Sequence, residues 1–330
     1  MTVLGRWGGV HDFMQVLRQV RTDDIEAEAS QALHIAIVGP RGAGKRTLAG
    51  RLAGGTFGGL VEPFGRRSLT CFELPLSWDD QQALRESDLV IGLQDVAAPV
   101  TNASFVEPRA WAPAFLNVVN KADLLIGDWP SVRQGAILIS AHSADSLSRQ
   151  LLPAMLDCLP ERALALGRAF SLFRPMVAEV EIARVARVNA EVAILSAIPQ
   201  ASLILGPASV LADSLVITKN QVVLALRLAA MNGQELNRAR ALEALPIVGA
   251  AFGWRAAARE LVGFLPAGLG VVPKAAIAYA GTLAAGKAAA WYYQTGQRLN
   301  DAQVRQLYRE SSARALGAVR EMVRTIRRAG

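Results

Sequence analysis

Five short, continuously apolar runs lie in the first half of the chain. They are "LHIAIVG" from Leu33, "SLTCFEL" from Ser68, "DLVIGL" from Asp88, "FLNVVN" from Phe115 and "AILIS" from Ala136, separated by polar, Gly- and Pro-marked connections. A strand wetted on one face alternates apolar and polar residues. One covered on both faces is apolar throughout, as in a parallel sheet layered between helices. The pattern therefore predicts an α/β unit with a mostly parallel sheet, closed by a helix over "LLPAMLDCL" from Leu151. After Pro160 the strand-like runs vanish and Ala- and Arg-rich helical patterns continue to the end, one of them bent or broken at Pro175. The expected organisation is an N-terminal helical extension over 1–32, with helical spacing in "HDFMQVLRQV", an α/β unit over 33–160 and an all-α unit over 161–330.

The first run leads into "GPRGAGKRT", Gly39 to Thr47, and "KRTLAGRLAG" then opens a helix. Strand, glycine loop and helix start in that order form a cradle for phosphate. Gly39, Gly42 and Gly44 let the backbone come close, so that the amides of the loop, Arg41 and Ala43 included, and the helix N-terminus meet the negative charge. Lys45 adds a point charge for the β- and γ-phosphates. The following position should carry a hydroxyl for Mg²⁺; it holds Arg46, and Thr47 arrives one residue late. Arginine has donors and no acceptor, so it ligates no cation. Either Arg46 takes the electrostatic place of the metal and pairs with phosphate oxygens, or it turns outward and Thr47 contacts the α-phosphate.

A second segment selects the base. "NKAD", Asn120 to Asp123, follows the fourth run. The Asp123 carboxylate can accept from N1–H and the 2-amino group of guanine together, donors that adenine lacks. Lys121 can lay its stem across the base, and Asn120 can tie the base loop to the phosphate loop. At the end of the fifth run, Ser140 and Ala141 offer support and a backbone N–H for the guanine carbonyl.

"GPRGAGKRT", "NKAD" and "SA", in this order and each at a strand end, resemble the first, fourth and fifth motifs of the Era-like, translation-factor-related GTPases over residues 33–160. The resemblance implies a P-loop NTPase fold of the G-domain type, with GTP or GDP as ligand and Mg²⁺ as the usual cofactor. It also shows what departs. Where the family's D-x-x-G is expected the chain reads "ELPL": Glu73 takes the place of the aspartate, Pro75 follows, and Leu76 replaces the glycine. Thr56 and Thr70 are candidates for the second motif's threonine by position only. The motifs for base and phosphate chain are kept while those for metal, switch and water are degraded, so binding is expected with hydrolysis slow or absent. Glu73 is the one candidate for catalytic chemistry.

The helical half, "ALPIVGAAFGWRAAARELVGFLPAGLGVVPKAAIAYAGTLAAGKAAAWYYQTGQRL", resembles the helical domain of unknown function 697 often fused to bacterial G domains. That implies association with GTPases and, less directly, with membranes. Ala276, Ala280, Ala284 and Ala288 repeat every four residues and offer a close-packing stripe. The long apolar stretch between Glu191 and Asp213 is interrupted by Pro199, Gln200 and Pro207; Lys274 and Lys287 bracket the alanine helix, and Arg255 and Arg259 interrupt its predecessor. A soluble bundle is favoured over hairpin insertion, and spanning helices come third. In the last segment Arg305, Arg309, Arg314, Arg320, Arg324, Arg327 and Arg328 outnumber the acids, which suits either an anionic membrane surface or the solvated face of a bundle helix. Trp291, Tyr292 and Tyr293 mark either a membrane interface or the closure of a core.

Composition bounds the rest. A chain of 330 residues suffices for two domains, and a net charge of +7 suits an anionic partner. Nucleic acid is not favoured: aromatics make up 6% and the basic residues are scattered. Cys71 and Cys158 read as core thiols of a reducing compartment, and His11, His34 and His142 have no ligand spacing. No secretory signal is read at the N-terminus, so a cytoplasmic location is expected, free or at the inner membrane face. Three functions fit: a guanine-nucleotide switch or scaffold with a partner or membrane on its helical half, an active Mg²⁺-dependent GTPase, or a nucleotide-free structural module.

Overall fold

The computed structural model describes residues 20–54, 67–97, 114–125, 135–196, 208–236 and 271–329. The chain divides into two compact units, Ala27–Val177 and a second made of Ala178–Gly330 with residues up to Glu26. Helix α1 (Thr22–Ala29) precedes the sheet, and nearly all of the helix expected over 11–20 falls outside the described residues.

The first unit is built on β1 (Leu33–Gly39), α2 (Lys45–Leu52), β2 (Arg67–Glu73), α3 (Trp78–Arg85), β3 (Leu89–Asp95), β4 (Phe115–Asn120) and β5 (Ile137–Leu138). The five strands form one sheet in the order β2-β1-β3-β4-β5, and every pairing is parallel. The unbroken apolar runs have the expected cause: Leu33, Ile35, Ile37 and Val38 of β1 and Leu89, Val90, Ile91 and Leu93 of β3 are all buried. Gly92 lets neighbouring strands close up, since a Cβ there would meet the Phe115 ring at 2.6 Å. The last run pairs over only two residues, because the chain turns at Ser140 into the next helical segment. That segment starts at Ser143, whose hydroxyl accepts from the Ser146 N–H at 3.1 Å, passes through a π-helical turn at Leu147–Leu151 and becomes α4 (Leu152–Cys158).

Pro175 breaks the long helical pattern by starting a helix. Helix α5 (Ala163–Ala169) stops, a 3₁₀ turn follows at Ser171–Phe173, and α6 (Arg174–Leu195) begins with Pro175 in its first turn, where the missing N–H is harmless. Helices α7 (Ala208–Met231), α8 (Val271–Thr295) and α9 (Asp301–Ala329) complete the second unit. Ala276, Ala280 and Ala284 of the expected stripe are buried, whereas Ala288 is half-buried. Gly286 marks the tightest approach: a Cβ there would stand 2.7 Å from Ile182 and 3.0 Å from Leu224.

A polar layer crosses this core. Asn189 donates to Thr282 Oγ1 at 2.9 Å, Gln221 donates to the same oxygen at 3.2 Å, and Asn220 donates to Asn189 Oδ1 at 2.7 Å. Nearby, the buried Glu181 accepts from Arg227 Nε and Arg184 Nη2, each at 2.8 Å. No helix among the described residues is long and apolar enough to cross a membrane. Pro199, Gln200, Pro207, Arg255 and Arg259 lie outside the described residues.

Candidate functional site

Because β1 has β2 on one side and β3 on the other, the connections leaving β1 and β3 run to opposite sides, which makes the carboxyl ends of these strands a topological switch point. Ligands of open α/β sheets bind at such a point. The loop after β1 lies there. Gly42 and Gly44 adopt φ of 84° and 94°, in the left-handed region that suits glycine. Gly44 caps α2 and has no side chain to supply a cap hydrogen bond, which leaves the amides of the helix start open to a ligand or to water.

Asn120 joins this loop to the next. Its Nδ2 donates to Ala43 O at 3.0 Å and its Oδ1 accepts from the Ala141 N–H at 2.8 Å, with the side chain almost wholly buried. The end of β4 is thus tied to the loop after β1, the link expected of Asn120. It also commits the Ala141 amide, expected to face a guanine carbonyl, to the protein itself. A Cβ on Gly44 would come within 2.3 Å of Asn120 Nδ2, so the glycine is required by space as well as by φ. Gly39 is required too, since a Cβ there would collide with Leu93 O.

Lys121 is the single non-glycine residue with positive φ among the described residues, at 65°. Its amine pairs with Asp95, which stands beside Asn120 in the β3–β4 register. Asp95 is the residue that sequence reasoning missed; its signal was a carboxylate closing a buried strand at the sheet's carboxyl edge. Asp123 is exposed, and the Ser140 hydroxyl, followed by a backbone N–H, holds its carboxyl below the usual range. Arg51 of α2 adds a further link by donating to His142 O at 3.2 Å.

Lys45 is nearly buried and turned onto its own loop, donating to Gly39 O and Pro40 O, both at 2.8 Å. Glu73 Oε2 lies 3.8 Å away. Burial holds the lysine's pKa below its ordinary value, against the opposing pull of Glu73. Arg46 is exposed and Thr47 half-buried. The Arg46 charge is nonetheless felt at Lys45 and at the half-buried thiol of Cys71, which burial pushes up. Both Cys71 and Cys158 are free thiols. Thr70 lies within β2, paired opposite Ala36 and exposed, and Thr56 falls outside the described residues.

The segment after Glu73 is pinned. Leu74 and Leu76 pack against Ala36, Val38, Leu84 and Val90, and Ser77 forms a reciprocal capping box with Asp80 at the start of α3. Leu76, at the position where the resemblance implies a glycine, makes a core contact. No family model, curated protein or solved structure matches this chain.

The residues at the loop do not fit a magnesium site. The position expected to carry a hydroxyl holds Arg46, and the nearby carboxylate Glu73 faces Lys45. The loop presents the backbone amides at the start of α2 together with the cations Lys45 and Arg46.

Proposed function

We propose that the Ala27–Val177 unit is a P-loop domain of the Era-like type that binds guanine nucleotide and hydrolyses it slowly or not at all. The observation that carries this reading is the Asn120 bridge. One buried side chain fixes Ala43 of the phosphate loop and Ala141 of the last strand's loop, and so sets the distance between a phosphate cradle and the Asp123 carboxylate. A structural turn with an accidental lysine has no need of that link. The inactive half of the reading rests on the pinned Leu76, the cation at the metal-ligand position and the absence of a flexible glycine after Glu73.

Calorimetric titration of the purified protein with GDP, GTP and ATP tests it. Guanine nucleotides are expected to bind with and without EDTA, ATP is expected not to compete, and Asp123→Ala should weaken binding of GDP and GTP markedly. Equal competition by ATP removes the role given to Asp123. Phosphate release that depends on Mg²⁺ and disappears in Asp123→Ala would establish an active GTPase in its place. A second reading, a nucleotide-free module, draws on Lys45, whose amine is satisfied by its own loop's carbonyls; silence towards all three nucleotides at millimolar levels would favour it.

For the helical unit we propose contact with an anionic surface through α9. Arg305, Arg309, Arg320 and Arg324 are exposed there, and their spacing puts them on one face of the helix.

A further inference from the structure

We propose that the pocket takes a guanosine diphosphate in preference to the triphosphate, and that Glu73 enforces the choice. This rests on the guanine-nucleotide reading above. Glu73 ends β2 directly opposite Gly39, where the phosphate loop begins, and the Leu74 N–H donates to Gly39 O at 3.2 Å. The backbone carrying the carboxylate is thus fastened to the loop. The side chain is 58% exposed, with Oε2 3.8 Å from Lys45 Nζ.

An ammonium has three donors. Two of those on Lys45 go to Gly39 O and Pro40 O, and Glu73 is the acid that meets the remaining charge. The α- and β-phosphates are held chiefly by loop amides and the start of α2, with Lys45 as an added charge for the β-phosphate. A third phosphate is different. It must reach Lys45, and it brings further negative charge beside a carboxylate that already shares that lysine.

Where a carboxylate and a γ-phosphate share a site, a divalent cation between them removes the repulsion. Here the position that would supply the hydroxyl ligand is Arg46, which has no acceptor. Lys45 must then serve two anions, and the penalty falls most heavily on the triphosphate. Glu73 is a specificity-determining residue in this scheme, acting by charge.

Titration of the full-length protein with GDP and GTP, each in EDTA and in excess Mg²⁺, decides it. The wild type is expected to bind GDP at least about tenfold more tightly than GTP in both buffers, about 1.4 kcal/mol. Glu73→Gln keeps the shape and removes the charge; it should bring the two within about threefold by tightening GTP, and Glu73→Ala should do the same. Equal affinities in the wild type overturn the proposal. So does an unchanged ratio in both variants, or recovery of GTP affinity on adding Mg²⁺, which would make Glu73 a metal ligand. Asp123→Ala should weaken both nucleotides and leave their ratio alone, so a fault in base recognition reads differently from a fault in phosphate selection. If neither nucleotide binds the wild type, the guanine reading falls and this inference with it.

Discussion

Gly44 answers two demands at once, a φ of 94° and the nearness of Asn120 Nδ2. Gly44→Ala should therefore destabilise the protein by about 1–3 kcal/mol and weaken nucleotide binding, seen as a lower Tm and a lower titration affinity. Asn120→Ala strands the buried carbonyl of Ala43 and the buried N–H of Ala141, and an equal result for this variant and wild type would show that the bridge carries no weight; the expected loss is about 1–3 kcal/mol. At Asp123 the expected effect is on titration. The Ser140 hydroxyl favours the ionised carboxylate, so Ser140→Ala should raise the Asp123 pKa back towards 3.8, as followed by NMR through an acid titration. The sign follows from the donor: removing a hydrogen bond to the charged form favours the proton. These residues were legible as a set because each is tied to a strand end, where the apolar run stops. Asp95 was not, since a single carboxylate becomes meaningful only when the β3–β4 register sets it beside Asn120 and Lys121.

Helices of the second unit approach closely at Gly286 and are held at Glu181. Any side chain at Gly286 must displace Ile182 and Leu224, so Gly286→Val should cost about 1–3 kcal/mol, read as a lower denaturation midpoint at unchanged slope. Burial alone would raise the Glu181 pKa, but Arg227 and Arg184 outweigh it and hold the carboxyl below 4.5. Its contribution is thus present above 4.5 and lost as pH falls through the lowered value. Arg227→Met removes the cation that holds both carboxylate oxygens and leaves burial dominant, costing about 3 kcal/mol at neutral pH. In that variant the carboxyl is pushed up, so the cost should shrink as pH falls and Glu181 takes a proton; a pH-independent difference in unfolding free energy would contradict this account. The alanine stripe announced the close packing, yet the polar layer of Asn189, Asn220, Gln221 and Thr282 did not stand out in the chain. Amides 30 or more residues apart look like surface residues until the helices bring them together.

For the molecule as a whole, the exposed arginines of α9 should attach the protein to anionic vesicles, at about 1 kcal/mol per basic residue near the surface and less as salt rises. Flotation with phosphatidylserine vesicles is expected to carry the wild type up and to leave the Arg305, Arg309, Arg320 and Arg324→Gln variant at the bottom. Equal flotation of the two would end that proposal. What the sequence determined by itself was the class of each element: a strand buried on both faces must be apolar throughout, and a proline bends or breaks a helical pattern, so the sheet, its mostly parallel sense and an interruption at Pro175 follow from local chemistry. What only the tertiary structure decided was which polar groups meet. Whether the Ala141 amide faces a ligand or Asn120, whether Leu76 is a loose turn or a core contact, and whether Lys45 meets Glu73 all depend on distances of a few ångströms between segments far apart in the chain. Hydrogen bonds and ion pairs fall off over that range, whereas the hydrophobic pattern that builds the sheet does not depend on it.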